Sequence, residues 1–265
     1  YRDRLFTLNF HGRRVNQEIL RRNGSGYVAS HGQDLLLAKD PWFRGMELGS
    51  GPDGAVFVLD WSDAGECHEH TGVHRTSGRI FKVRNAQTPV TTKPTNLTTW
   101  SLTELVNVHA GRNDWFTRQA RLELARRAMT NDVASCYPLL IGLLVNSENR
   151  PTTKVQALLT LHVLGGADET LLRSLSQESH ESLRSWSIRL LTDDWPLDDA
   201  MGASHANASD QNRVRQHAQE LMPHLLAIAK HDTSALVRLS LASVLQRLPL
   251  EFRAVLAKAL VNHEE

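Results

Sequence analysis

The residues best equipped for chemistry fall in one run: Asp60-Trp61-Ser62-Asp63-Ala64-Gly65-Glu66-Cys67-His68-Glu69-His70, followed by His74, Arg75 and Gly78. The run gathers three of the thirteen histidines, one of the two cysteines and four carboxylates. Thiolate and imidazole together suit zinc or copper, and Cys67, His68, His70 and His74 are spaced so that one loop can wrap an ion. The same residues also read as a polar loop whose His and Arg side chains bond its own backbone and hold a long excursion in shape. Cys67-His68 is the tail of a haem-attachment C-x-x-C-H run, which needs a second thiol three positions earlier. Ala64 stands there, so this segment cannot make both thioether bonds. Asp60 and Asp63 offer a base or Ca²⁺ ligands, or they cap the turn that follows a strand.

What must position this run is a Gly-punctuated series of short strands: Arg4 to Phe10, Arg14 to Leu20, Tyr27 to Lys39, Arg44 to Gly49, Ala55 to Trp61 and Arg79 to Val83. Gly51-Pro52-Asp53-Gly54 is the clearest turn, because Pro presets φ and Gly supplies a positive one. Residues 1–84 therefore read as β. Residues 85–100, rich in Thr, Pro and Asn, read as a linker.

From residue 101 to 265 apolar residues recur at helical spacing, in pairs: 101–110 with 114–129, 132–146 with 152–164, 168–178 with 181–192, and 213–230 with 234–248. The second helices superimpose on a basic residue. Arg118, Lys154, Arg184 and Arg238 are followed at +4 by Leu122, Leu158, Ile188 and Ala242, and at +7 by Ala125, Leu161, Leu191 and Leu245. That is an internal repeat of a two-helix unit, and it resembles HEAT repeats. An insert at 193–212, without periodicity, reads as a surface loop. Leu250 to Val261 reads as the first helix of a fifth unit, and the chain reads as an internal fragment. His109, His162, His217 and His224 read as solvated or repeat-interface side chains, and Trp115 and Trp186 as part of the inter-repeat core.

The bulk properties bound the rest. With 265 residues, 41% hydrophobic and 22% charged, the chain fits one large domain or two ordinary ones. A net charge of +1 gives no field to attract nucleic acid, so no nucleic-acid partner is expected. The longest apolar run, Tyr137 to Val145, has nine residues, about half of the roughly 20 that a spanning helix needs. No transmembrane segment is expected. Two cysteines exclude a disulfide-dense scaffold.

Three stretches carry a more specific likeness. Trp42-Phe43-Arg44-Gly45-Met46-Glu47-Leu48, Gly51 to Trp61, and Gly72 to Val83 look like the last blades of a β-propeller. They resemble the large membrane-bound dehydrogenases of planctomycetes and verrucomicrobia, which are similar to glucose/sorbosone dehydrogenases. In that family the propeller is followed by HEAT-like repeats and then a c-type cytochrome domain. The resemblance implies terminal propeller blades followed by an α-solenoid of HEAT-like helix pairs. It also implies a periplasmic, secreted or membrane-associated setting, and a sugar or alcohol dehydrogenase passing electrons to a fused cytochrome. PQQ-like quinone, Ca²⁺ or haem c would serve the full-length protein.

If the blades are propeller blades, one side of them is a ligand face. Asn9, His11 and Arg13 occupy the short turn of one blade, while Trp42, Phe43 and Arg44 stand beside the 63–77 loop of the next. Asn9, His11, Arg13, Arg44, Asp60, Asp63, His74 and Arg75 are then the candidates to face a small ligand. The bland readings stay open: Trp42 and Phe43 as packing between blades, and Arg44 as a partner of Glu47 or Asp63. A non-enzymatic alternative also stands, in which the propeller part recognises a glycan or protein and the helices offer a docking surface to protein partners.

Overall fold

The computed structural model describes residues 4–62, 64, 76–87, 96–130, 132–198, 202 and 207–263. The chain is of mixed β and α class and divides into two compact units. The first comprises 1–23, 27–100 and 111–120; the second comprises 24–26, 101–110 and 121–265.

The first unit is built on two antiparallel sheets. One holds β1 (Arg4–Asn9), β2 (Arg14–Asn23) and β3 (Gly26–His31) in that order, with the two-residue β4 (Leu36–Leu37) also on β2. The other is the meander β5 (Gly45–Ser50), β6 (Val56–Asp60) and β7 (Arg79–Val83). The apolar run expected as one strand over Tyr27 to Lys39 is broken into β3 and β4, because Gly32 turns the chain: its N–H donates to Gln17 O at 2.7 Å. The β5–β6 turn is closed by Gly54 N–H to Gly51 O at 3.0 Å, with Gly54 at φ +75°. Alternation puts one side of each strand into a shared core, where Val15, Phe43 and Val58 are fully buried. Phe6, Leu8 and Leu36 from one sheet and Leu48, Phe81 and Val83 from the other pack around them. A Cβ at Gly45 would come within 2.5 Å of the Leu8 methyl, so glycine there lets β5 lie close to β1.

Nine helices are described. They are α1 (Leu102–Asn107), α2 (Asp114–Ala128), α3 (Cys136–Val145), α4 (Pro151–Val163), α5 (Glu169–Leu175), α6 (Glu181–Leu190), α7 (Ala208–His231), α8 (Ala235–Val244) and α9 (Leu250–Leu260). Their ends carry the expected chemistry. Ser101 and Glu104 form a reciprocal capping box on α1, and Asp168 and Ser234 cap α5 and α8. Gly165 (φ +78°) and Gly166 close α4, with N–H groups donating to His162 O and Leu161 O at 2.9 Å each, the Schellman arrangement. In the second unit α3 packs on α4, α5 on α6, and α4, α6 and α8 pack in succession. The seams are apolar: Leu140, Leu158, Leu161, Ile188 and Leu241 have no exposed surface.

Two features differ from the sequence reading. α7 begins at Ala208, inside the expected insert, because Asn207 caps it by accepting from Asp210 N–H at 2.9 Å. Trp195, also in the insert, is buried at 2% exposure, and Arg247 holds that segment by donating to the carbonyls of Asp193 and Trp195. The basic repeat positions are also put to different uses. Arg184 bonds Asp232 at 2.7 and 3.0 Å, and Arg238 donates to Asp232 O at 2.7 Å. Among the named histidines, His109 is buried against Thr160 at 2.8 Å, His224 meets Ser176 at 2.8 Å and His217 meets Glu169 at 2.9 Å.

Candidate functional site

Of the residues singled out for chemistry, Asp63, Cys67, His68, His70, His74 and Arg75 lie outside the described residues. Asn9, His11, Arg13, Arg44 and Asp60 are described, and the fold brings their segments together.

Asp60, the last residue of β6, is the centre. Its side chain has no exposed surface. Oδ1 accepts from Arg44 N–H at 2.8 Å and from Ser62 N–H at 3.1 Å. Oδ2 takes Arg79 Nε and Nη2, both at 2.6 Å. Oδ1 thus has two hydrogen-bond donors and Oδ2 one, Arg79 Nε, with Nη2 in ion-pair range only, and of the two readings of Asp60 the geometry carries the turn cap. Arg79, the first residue of β7, also reaches Asp40 Oδ2 at 2.5 Å. Hydrogen bonds from Arg79 and then from the Trp42 N–H hold the Asp40 carboxyl below the ordinary carboxylate value, and the Asp40 bond raises Arg79 in turn.

Arg44, at 4% exposure, is turned inward. Nη1 donates to Phe43 O and Pro41 O at 3.0 and 3.1 Å, and Nη2 donates to Ala64 O at 2.9 Å. The guanidinium also lies 5.8 Å from the centre of the Phe10 ring, which His11 meets edge-on at 5.3 Å. Phe10 therefore joins the β1–β2 turn to the 40–44 segment. That turn is itself specific: Asn9 Oδ1 accepts from Gly12 N–H at 2.6 Å, and Arg13 sits at φ +54°. Phe43 is core, 6.0 Å from Phe81 between ring centres, and Trp42 is half-buried.

Both ends of the 63–76 stretch are tied to this hub. Ser62, at φ +57°, is held by Asp60, and its hydroxyl meets that of Ser77 at 3.0 Å. Arg44 holds Ala64 from below. A Cβ at Gly78 would come within 3.2 Å of Asp60 O, so the returning chain crosses close over the departing one.

Residues 1–87 match the family model described as Domain of unknown function (DUF7133). The match covers β1 through β7. No curated protein matches the chain.

Sequence reasoning missed Asp40 and Arg79. They are 39 residues apart, and the only local sign of Asp40 is its place before Pro41, which favours a side-chain turn. Among the described residues, no group of three or more His, Cys, Asp or Glu side chains is placed to hold a metal ion. Cys136 is a free, buried thiol whose pKa is pushed up by burial, so it stays protonated and inert. Among the described residues, no helix is long and apolar enough to cross a membrane.

Proposed function

We propose that residues 1–84 are the terminal blades of a β-propeller, that the helices of the second unit form a HEAT-like solenoid, and that the chain belongs to a sugar or alcohol dehydrogenase of the glucose/sorbosone type. In this reading the 63–77 loop carries the ligand-facing groups and the helical part is scaffold. The protein works in the periplasm or outside the cell, and electrons pass to a c-type cytochrome.

The observation that supports it best is the clamp on the loop stem. A buried carboxylate, a buried guanidinium and a Ser–Ser pair are all spent on fixing residues 62, 64 and 77. A loop dense in His, Cys and Arg on a stem so fixed has the form of a functional loop on a rigid scaffold. Two adjacent antiparallel meanders with packed first strands, and second helices packed in succession, agree with blades and a solenoid.

The implied cofactors do not fit the described residues. Asp60 and Arg44 are committed to the hub, so neither is free for a quinone or Ca²⁺, and Cys136 is a lone buried thiol unfit for haem attachment. The test is His74→Ala with Arg75→Ala in the complete polypeptide that carries this chain. The expected result is loss of sugar-dependent dye reduction with the helical circular dichroism unchanged. Full dye reduction in that variant would overturn the role of the loop.

A further inference from the structure

A cleft of about 1080 Å³ opens in the first unit, at the end of β5 and β6 away from Asp60. Every residue lining it belongs to that unit. One wall is the edge of the shared core, with Phe6, Leu35, Leu48, Val56 and Val83. The opposite wall is the start of α2, where Trp115, Arg118 and Gln119 share a face at i, i+3 and i+4. This wall is fixed. Asn113 Oδ1 accepts from Trp115 N–H at 3.0 Å while its Nδ2 donates to Pro52 O at 2.9 Å, and Phe116 meets Trp115 edge-on at 5.1 Å and Trp100 in a stack at 6.0 Å.

The charges at the mouth are Arg84, Arg118 and Glu47, a net of one positive. Arg118 is informative because it occupies the basic position of the helical repeat. At that position Arg184 and Arg238 are spent on Asp232, whereas Arg118 lines the cleft. An apolar floor, a flat aromatic wall and a net cationic rim are complementary to an amphipathic acid. We propose that this cleft binds a monocarboxylate with a long alkyl or fused-ring body, the body along Leu48, Val56 and Val83 and the carboxylate toward Arg118. The inference is independent of the dehydrogenase reading, since it uses neither the 63–77 loop nor the Asp60 hub.

The test is calorimetric titration of the 265-residue chain with dodecanoate below its micelle concentration, with dodecyltrimethylammonium as the charge-reversed control. Two variants locate the site. Gly49 lines the cleft, and a Cβ there would meet nothing within 4 Å, so Gly49→Leu adds its bulk from a position with open space around the Cβ. Arg118→Glu reverses the charge on an exposed residue. We expect saturable dodecanoate binding that Gly49→Leu abolishes and that Arg118→Glu weakens about tenfold or more, with the cationic control much weaker. Folding of each variant is checked by circular dichroism. Absence of saturable binding, equal binding of the cationic amphiphile, or unchanged affinity in both variants would overturn the proposal.

Discussion

His109 should make the helical unit lose stability on mild acidification. The ring is 2% exposed in the turn after α1; its Nδ1–H donates to Val106 O at 2.9 Å, and Nε2 lies 2.8 Å from the Thr160 hydroxyl, which also reaches Gln156 O at 3.0 Å. Thr160 Oγ1 in turn accepts from Arg121 Nε at 3.0 Å. A second ring proton could still go to Thr160 Oγ1, whose hydroxyl then donates to Gln156 O at 3.0 Å, but the charge it brings would be buried beside Arg121. Burial first, and the Arg121 charge after it, push the His109 pKa down from 6.5 to about 4, against the Val106 carbonyl. The unfolded chain takes up this proton as pH falls through 6.5, while the folded chain resists until about 4. The neutral ring's contribution is therefore complete above pH 6.5, is lost between 6.5 and 4, and is flat below. Between pH 7.5 and 4.5 the linkage amounts to about 2.5 kcal/mol, to order of magnitude. The assay is urea unfolding at both pH values, followed by circular dichroism at the helix band, on the natural chain and on His109→Leu. Other groups titrate in both proteins and cancel. His109→Leu should be the less stable at pH 7.5, because it removes the ring's hydrogen bonds to Val106 O and Thr160. Its deficit should shrink by about 2.5 kcal/mol at pH 4.5. A deficit equal at both values would refute the reasoning. If the variant does not fold, an NMR titration of the His109 ring in the natural chain decides, and a midpoint near 6.5 refutes it.

Two further outcomes rest on single partners. Asp60→Asn removes a fully buried charge with three hydrogen-bond donors on it and should destabilise the sheet unit by about 2 to 3 kcal/mol, whereas Asp40→Asn, which loses only an exposed bond to Arg79, should change the unfolding midpoint far less; chemical unfolding followed by tryptophan fluorescence compares them. Burial pushes the Asp232 carboxyl up, but the Arg184 bonds together with the Ser234 N–H outweigh it and hold the pKa below 3.8. This stabilisation is present above pH 3.8 and lost as pH falls through the depressed folded value, so Arg184→Lys should cost about 1 to 2 kcal/mol at pH 7 and progressively less in acid, read by unfolding at both pH values.

The elements were legible where one periodicity ran unopposed. β7 spans the residues alternation assigns to it, and α4, α6 and α9 end within one or two residues of their apolar patterns, because burial of one face decides both period and extent. The start of α7 was hidden because Ala208 to Asn212 carries no apolar stripe; what begins that helix is the Asn207 cap, a signal present in the sequence but outweighed by the polar composition around it. The burial of Trp195 is hidden for the same reason, since an irregular segment can still bury one large ring when a remote arginine, here Arg247, holds its carbonyls. Of the candidate site, Asn9, Arg44 and Asp60 were visible as residue types, but their roles depend on Asp40, Arg79 and Phe10, whose positions follow from sheet packing rather than from spacing along the chain.

The exposure of each partner explains why so many charges in the sheet unit serve as ties rather than as reactants. Asp60 and Arg44 lie inside, and taking a charge out of water costs less the more of its hydrogen bonds are made. Asp60 takes two backbone N–H groups, from residues 44 and 62, and the Nε of Arg79, so a single carboxylate fixes the starts of β5 and β7 and the exit from β6. Arg44 donates from Nη1 and Nη2 to carbonyls on both sides of the same point, residues 41 and 43 before β5 and residue 64 after β6, while its Nε has no hydrogen-bond partner among the described residues. A chain that left β6 in another direction would lose the bonds at residues 62 and 64. The buried pair thus specifies one path for the stem, and its value lies in that specificity more than in net stability, since apolar residues of equal volume often stabilise a core as well.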